Sequence, residues 1–253
     1  MKKKVDDFFS LKNSIQRLTE KDFENDFDYL ASIEAFARTT YKSIIVVDYD
    51  KKGFEYVSEN PLFLCGDSPE DVKKMGYAYY FKNVAEEDID LLFKINTVGF
   101  DFYEQIPLED RLQYTISYDF HIVNQESRRV LVNQKLTPMF LTEEGKIWKA
   151  ICIKSLSSKE TSGNIQIFKE NENKMFCYNL EGDYWETKEK IQLTSREREI
   201  LIYSSRGFTI NEIAEAIFVS PDTVKFHRKK IFEKLETANI TEAISFATNN
   251  KLI

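Results

Sequence analysis

The spacing of apolar residues changes period twice along the 253-residue chain. Over residues 5 to 37 it is helical: Phe8, Leu11, Ile15 and Leu18 form one stripe, and Phe23, Phe27, Leu30 and Ile33 another. Thr19-x-x-Asp22 marks the break between them. An N-terminal segment of residues 1–40 is therefore expected to hold two amphipathic helices. The stripes are too short for sustained heptads, which favours packing on a following sheet over a coiled dimer arm. From Ser43 the pattern turns to strands, at residues 43 to 48 and 54 to 57, joined by a Lys51-Lys52-Gly53 turn. Residues 59 to 76 break into short helical turns around Pro61, Gly66 and Pro69, and Glu86 to Ile95 reads as a helix. Three longer strands follow near 112–123, 129–141 and 147–156. This order predicts an antiparallel sheet with helices gathered on one side, an α+β layout.

Residues 158–189 open with the polar linker SKETSG and then read as a hairpin, Ile165 to Phe168 and Met175 to Tyr178, around Glu170-Asn171-Glu172-Asn173. Trp185 near its end fits two roles: an exposed surface that holds the following module, or part of an extension of the sheet.

After residue 190 the period is helical again, and the helix starts are written out. Thr194-x-x-Glu197 and Thr209-x-x-Glu212 are capping boxes, and Phe208 with Ile213 occupies the two positions of a hydrophobic staple. Ser220-Pro221-Asp222 supplies an N-cap, a Pro at the first helical position and an acid in the first turn. Two closely joined helices, the later one basic, are the sequence form of a helix-turn-helix. In that later helix Val224, Ile231 and Leu235 form an apolar back, while Lys225 and Lys229 lie four apart on another face, as a helix in the major groove requires. A fourth helix after Asn239-x-x-Glu242 carries Ile240, Ala243, Ile244 and Ala247 along one stripe, readable as core or as a dimer surface.

Residues 193 to 253 resemble the LuxR-type (GerE/NarL-like) helix-turn-helix domain. The likeness is carried by Leu193-Thr194-x-Arg196-Glu197, Gly207, Ile213-Ala214, Val219-Ser220, Thr223-Val224-Lys225-x-His227, Ile231, Lys234-Leu235 and Glu242-Ala243. It implies an all-α four-helix DNA-binding domain over 190–253, with the helix-turn-helix at about 209–228 and double-stranded DNA as partner. By position, Lys225, Phe226 and Lys229 would face the groove and Thr223, Arg228 and Lys230 would lie nearer phosphates. Phe226 stands where the family commonly has a smaller aliphatic residue, so base preference does not carry over. The resemblance also implies dimerisation on DNA through Ile240, Ala243, Ile244 and Ala247, giving a homodimer.

Residues 42–157 resemble a PAS-type sensory domain. That likeness rests on element order and on Ile45-Val46-Val47-Asp48, Phe54-x-Tyr56-Val57-Ser58-Glu59-Asn60-Pro61, Gly66-x-Ser68-Pro69-Glu70-Asp71 and Asp88. It implies a small-molecule ligand or a protein partner for this region, although aromatics at strand spacing read first as core. Alternation along 112–123 turns His121 away from Tyr114, Ile116, Tyr118, Phe120 and Ile122, which speaks against a haem ligand. Cys65 lacks the Asn-Cys-Arg-Phe setting of flavin-binding relatives, and the cofactor stays unassigned.

Composition adds a charge split. Residues 190–253 carry ten Lys/Arg against eight Asp/Glu, while residues 1–189 carry twenty-five against thirty-four, or about +2 and −9 within the net −7. Cys65, Cys152 and Cys177 are odd in number and lack metal spacing, and with only His121 and His227 a zinc site is not expected. The longest aliphatic run is Ile44 to Val47, far short of a membrane span, and no apolar segment follows the basic start, so a cytoplasmic, non-membrane protein is expected. No phosphate loop, nucleophile elbow or metal motif appears, which argues against an enzyme. These observations read together as a DNA-binding transcription regulator. The alternatives are a phosphorylated response regulator, suggested by Val46-Val47-Asp48-Tyr49-Asp50, and a PAS-like region that serves only dimerisation or protein interaction.

Overall fold

The computed structural model describes residues 4–10, 12–15, 18, 20 and 29–253. Contacts divide the chain into two compact units, one of Met1–Leu156 with Thr161–Lys188, the other of Ser157–Glu160 with Glu189–Ile253.

The first unit is built on one eight-stranded sheet. Its elements are α1 (Tyr29–Ala37), β1 (Ser43–Asp48), β2 (Gly53–Val57), α2 (Pro61–Leu64), α3 (Pro69–Met75), α4 (Ala78–Asn83) and α5 (Glu86–Glu104), followed by β3 (Tyr114–Val123), β4 (Arg129–Leu141), β5 (Ile147–Leu156), β6 (Gly163–Lys169), β7 (Lys174–Asn179) and β8 (Tyr184–Glu189). The strand order is β2-β1-β5-β4-β3-β6-β7-β8, and all six registered pairs are antiparallel. Two strands, a run of helices and then three long strands form the α+β layout expected of a PAS-like domain. A phosphoacceptor site needs parallel strands. Here Asp48 is buried at the end of β1, and its Oδ1 accepts the backbone N–H groups of Asp50 (3.0 Å) and Lys51 (3.1 Å), so the first acid of the receiver-like run Val46 to Asp50 is a turn device.

The structure refines these expectations and decides between the two roles left open for Trp185. Helices cover both faces of the sheet at β1, because its alternation sends Ile45 and Val47 into the main core while Ile44 and Val46 pack against Ile33 of α1. The N-terminal segment holds a short 3-10 helix at Val5–Phe8 and α1, with Phe8 buried in the main core beside Phe93, Tyr77 and Phe81. Leu11, Thr19, Asp22, Phe23 and Phe27 of the two predicted stripes lie outside the described residues. The 163–189 segment is a sheet extension of three strands: β6 pairs with β3, and Trp185 on β8 packs against Phe102 and Tyr178, each with ring centroids 5.0 Å away. Trp185 thus serves the first unit's own core. Helix α5 also runs nine residues past the predicted Ile95, burying Val98, Phe100 and Tyr103 over the inner face of the sheet.

The second unit consists of α6 (Ser195–Ser205), α7 (Ile210–Ala216), α8 (Pro221–Leu235) and α9 (Ile240–Asn249) around Leu193, Ile200, Leu201, Ile213, Val224, Ile231 and Leu235. Both capping boxes form as predicted, Ser220 accepts from Thr223 N at the start of α8, and Asn239 accepts from Glu242 N at the start of α9. Gly207 takes φ +85° in the turn before α7, a conformation that favours glycine. Among the described residues no helix is long and apolar enough to cross a membrane.

Candidate nucleic-acid interface and internal cavity

Helix α8 is fixed from behind. Val224, Ile231 and Leu235 have no exposed surface, and the far end is tied down by Lys234, whose Nζ lies 2.7 Å from Glu197 Oε2. Glu197 is also the reciprocal partner of the first capping box, accepting from Thr194 N at 2.9 Å. Burial raises its carboxyl, but the Lys234 ammonium and the Thr194 groups outweigh this and hold it below the ordinary value. Lys234 is therefore a structural cation.

Opposite that back, Lys225, Phe226, Lys229 and Lys230 are exposed, with Thr223 and Arg228 half-buried at the margins. All six predicted DNA-contacting residues thus sit on α8. Lys225 Nζ rests 3.0 Å from Asp222 Oδ1, and Lys229 Nζ 3.9 Å from Glu233 Oε1. Both are solvent-facing pairs, which cost little to exchange for phosphates or base edges. Lys230 lies over the Phe226 ring at 4.8 Å. The Arg228 guanidinium lies 5.9 Å from the Phe232 ring, and partial burial lowers its pKa. Phe218, in the turn two positions before the N-cap of α8, is 95% exposed and takes φ +56°.

The stripe on α9 divides. Ala243 and Ala247 are wholly buried in the unit's own core, where their small side chains let α9 approach α6 and α8, so neither can touch a second copy. Ile240 and Ile244 pack on that core yet keep some exposed surface.

In the first unit, a cavity of about 90 Å³ lies among α5 and the inner faces of β3, β4 and β5. Tyr49, Tyr77, Tyr80 and Tyr118 supply much of its wall, so the aromatics at strand spacing are both core and lining. His121 is outside it: its Nδ1 lies 2.8 Å from Asp88 Oδ2, which also accepts the His121 backbone N–H at 2.7 Å. Cys65, Cys152 and Cys177 are buried free thiols, and no cluster of three potential metal ligands occurs among the described residues. Lys154 is buried and its Nζ has no hydrogen-bond partner among the described residues; it sits against the rings of Tyr79 and Tyr80 (both 4.9 Å) and Phe120 (6.0 Å), and burial lowers its pKa to about 8.

Residues 191–247 match the family model "GerE: Bacterial regulatory proteins, luxR family", and the second unit carries a LuxR-type helix-turn-helix domain. The chain is 41% identical over 70 residues to the CsgBAC operon transcriptional regulatory protein of Escherichia coli, covering 27% of this chain and 32% of that one. It is 44% identical over 66 residues to the uncharacterized transcriptional regulatory protein YhcZ of Bacillus subtilis, covering 26% and 31%. The chain thus spans about a third of the length of the curated relatives it matches. Among solved structures, the Vibrio cholerae VqmA dimer is similar over 88% of both chains, with 16% identity and a TM-score of 0.33.

Proposed function

We propose that this chain is a cytoplasmic, sequence-specific DNA-binding transcription regulator, dimeric on DNA, whose PAS-like unit responds to a ligand or partner. The observation that carries the reading is the asymmetry of α8: an apolar back with no exposed surface against a solvent face of Lys225, Phe226, Lys229 and Lys230. Such a helix presents long donors to base edges while its core holds the register. Lys225, Phe226 and Lys229 would enter the major groove, with Thr223, Arg228 and Lys230 at the phosphates. On α9, Ile240 and Ile244 would meet a second copy. The small net positive charge of the second unit favours phosphate contact, and the acidic first unit leaves DNA binding to it. The proposed role is non-enzymatic, with regulation through binding.

Selection of fragments from a genomic DNA pool by the full chain tests this. The reading requires enrichment of a dyad-symmetric site with half-sites about one helical turn apart. Enrichment of single, asymmetric half-sites would remove the dimer, and no enrichment over random fragments would remove sequence-specific recognition.

A further inference from the structure

The solvent face of α8 carries one apolar side chain, Phe226. At about 100° per residue it stands roughly 160° around the helix from Val224, close to opposite the buried back. Lys225 and Lys229 flank it on that face. The ring is 55% exposed, and it belongs neither to the second unit's core nor to the residues packed against that core. Folding therefore makes no use of it. The ring is nonetheless held: Lys230 Nζ lies 4.8 Å from its centre, and the His227 ring meets it edge-on, with centroids 5.6 Å apart and planes at 71°. At an exposed site a cation over a ring contributes little energy, so these contacts orient the side chain more than they stabilise the unit.

The ring and its neighbours suit different features of a base edge. Lysine ammonium groups donate hydrogen bonds to acceptors such as guanine O6 and N7, whereas a phenyl ring neither donates nor accepts one. Set against a guanine, adenine or cytosine edge, the ring strips water from polar atoms and offers nothing in return. Set against a thymine edge, it covers the C5-methyl group, the apolar mark of the major groove, and removes that methyl from water. Such a ring discriminates by apolar contact alone, independently of the hydrogen-bond pattern open to Lys225 and Lys229.

We infer that Phe226 is a specificity-determining residue that reads the C5-methyl group of a pyrimidine in the major groove. The preferred half-site then holds a thymine at one fixed position, and 5-methylcytosine, which carries the same methyl, supplies the same contact there. The inference rests on the groove entry of α8 proposed above. Its test starts from a site enriched by the full chain, with each thymine of a half-site replaced in turn by deoxyuridine. That replacement removes the methyl and leaves the pairing edge unchanged. Competition titrations are expected to find one position at which it weakens the wild-type chain roughly three- to fivefold. At that position Phe226→Ala should not distinguish thymine from uracil. A cytosine–guanine pair placed there should bind the wild-type chain more tightly with the 5-methyl group than without it, and Phe226→Ala should again show no difference. Because the ring lies outside the core, the variant's melt should match the wild type and serves as the control for folding. A half-site without thymine, uracil tolerated by the wild-type chain at every position, or an equal uracil penalty in both proteins would overturn the inference and leave DNA recognition by α8 standing. Failure to enrich any site would remove the DNA reading and this inference with it.

Discussion

Phe218 combines two unfavourable features, a bulky ring left in solvent and a left-handed backbone. Nothing in the second unit's packing requires either. Phe218→Asn, which tolerates that backbone region, should stabilise the unit by about 1 kcal/mol. If the ring covers some 50 Å² of sugar or thymine surface, the same substitution should weaken DNA binding by about 1 kcal/mol, roughly fivefold. Denaturant melts and a binding titration would read the opposite signs. Equal affinity of the two proteins would mean that the ring lies off the DNA.

Along α8, Lys225→Ala and Lys229→Ala should each weaken specific binding by about 1–3 kcal/mol with helix content unchanged, and Glu233→Ala, towards the far end, should matter less. Competition titrations on a selected site would rank the three, and equal losses would contradict entry by the N-terminal half of the helix. Lys154 offers a test in the other unit. Its folded pKa of about 8 lies below the ordinary 10.5, so between these values the unfolded chain holds the extra proton and stability rises with pH. Below pH 8 the buried charge imposes its full penalty. Lys154→Met should therefore stabilise the first unit at pH 7 by up to about 3 kcal/mol, with the advantage shrinking towards pH 10. Melts of both proteins across that range check it, and a pH-independent difference would show that the residue acts by packing alone.

At the scale of elements, Glu197 joins two helices: it closes the Thr194 capping box on α6 and holds Lys234 of α8. Glu197→Gln should destabilise the isolated second unit by about 1–3 kcal/mol, since a buried carboxylate loses its charge-assisted bonds to Thr194 and to the half-exposed Lys234. Because the folded carboxyl sits below its ordinary value, this contribution is present above that value and lost as pH falls through the folded one. Melts at pH 7 and pH 3 should show the variant's deficit shrinking in acid.

The four helices of this unit were legible because their starts depend on local chemistry, with Thr, Ser and Asn side chains meeting backbone N–H groups within three residues. The cost of α9 to the second copy was not legible: whether Ala243 faces its own core or a partner depends on packing, and both give the same stripe. The same limit hid the end of α5 and the strand β8. Thr97, Val98 and Gly99 weaken a local helix signal that tertiary packing overrides, and Tyr184–Glu189 reads as polar because it is an edge strand with little burial.

At the scale of the molecule, each unit has its own core, and acidic charge is concentrated in the first. The fragment from residue 189 to 253 should accordingly fold alone, with a cooperative melt and helical circular dichroism. A few lysines must then carry DNA binding through released counterions, which makes salt the most direct probe. The measurement is the affinity of this fragment for a selected site as salt is varied. The account predicts a log–log slope on the order of −3 to −6 per dimer, and a shallower slope for the Lys229→Ala, Lys230→Ala double variant. A folded fragment whose affinity ignores salt, or whose slope is unchanged in that variant, would contradict the assignment of the α8 solvent face to DNA.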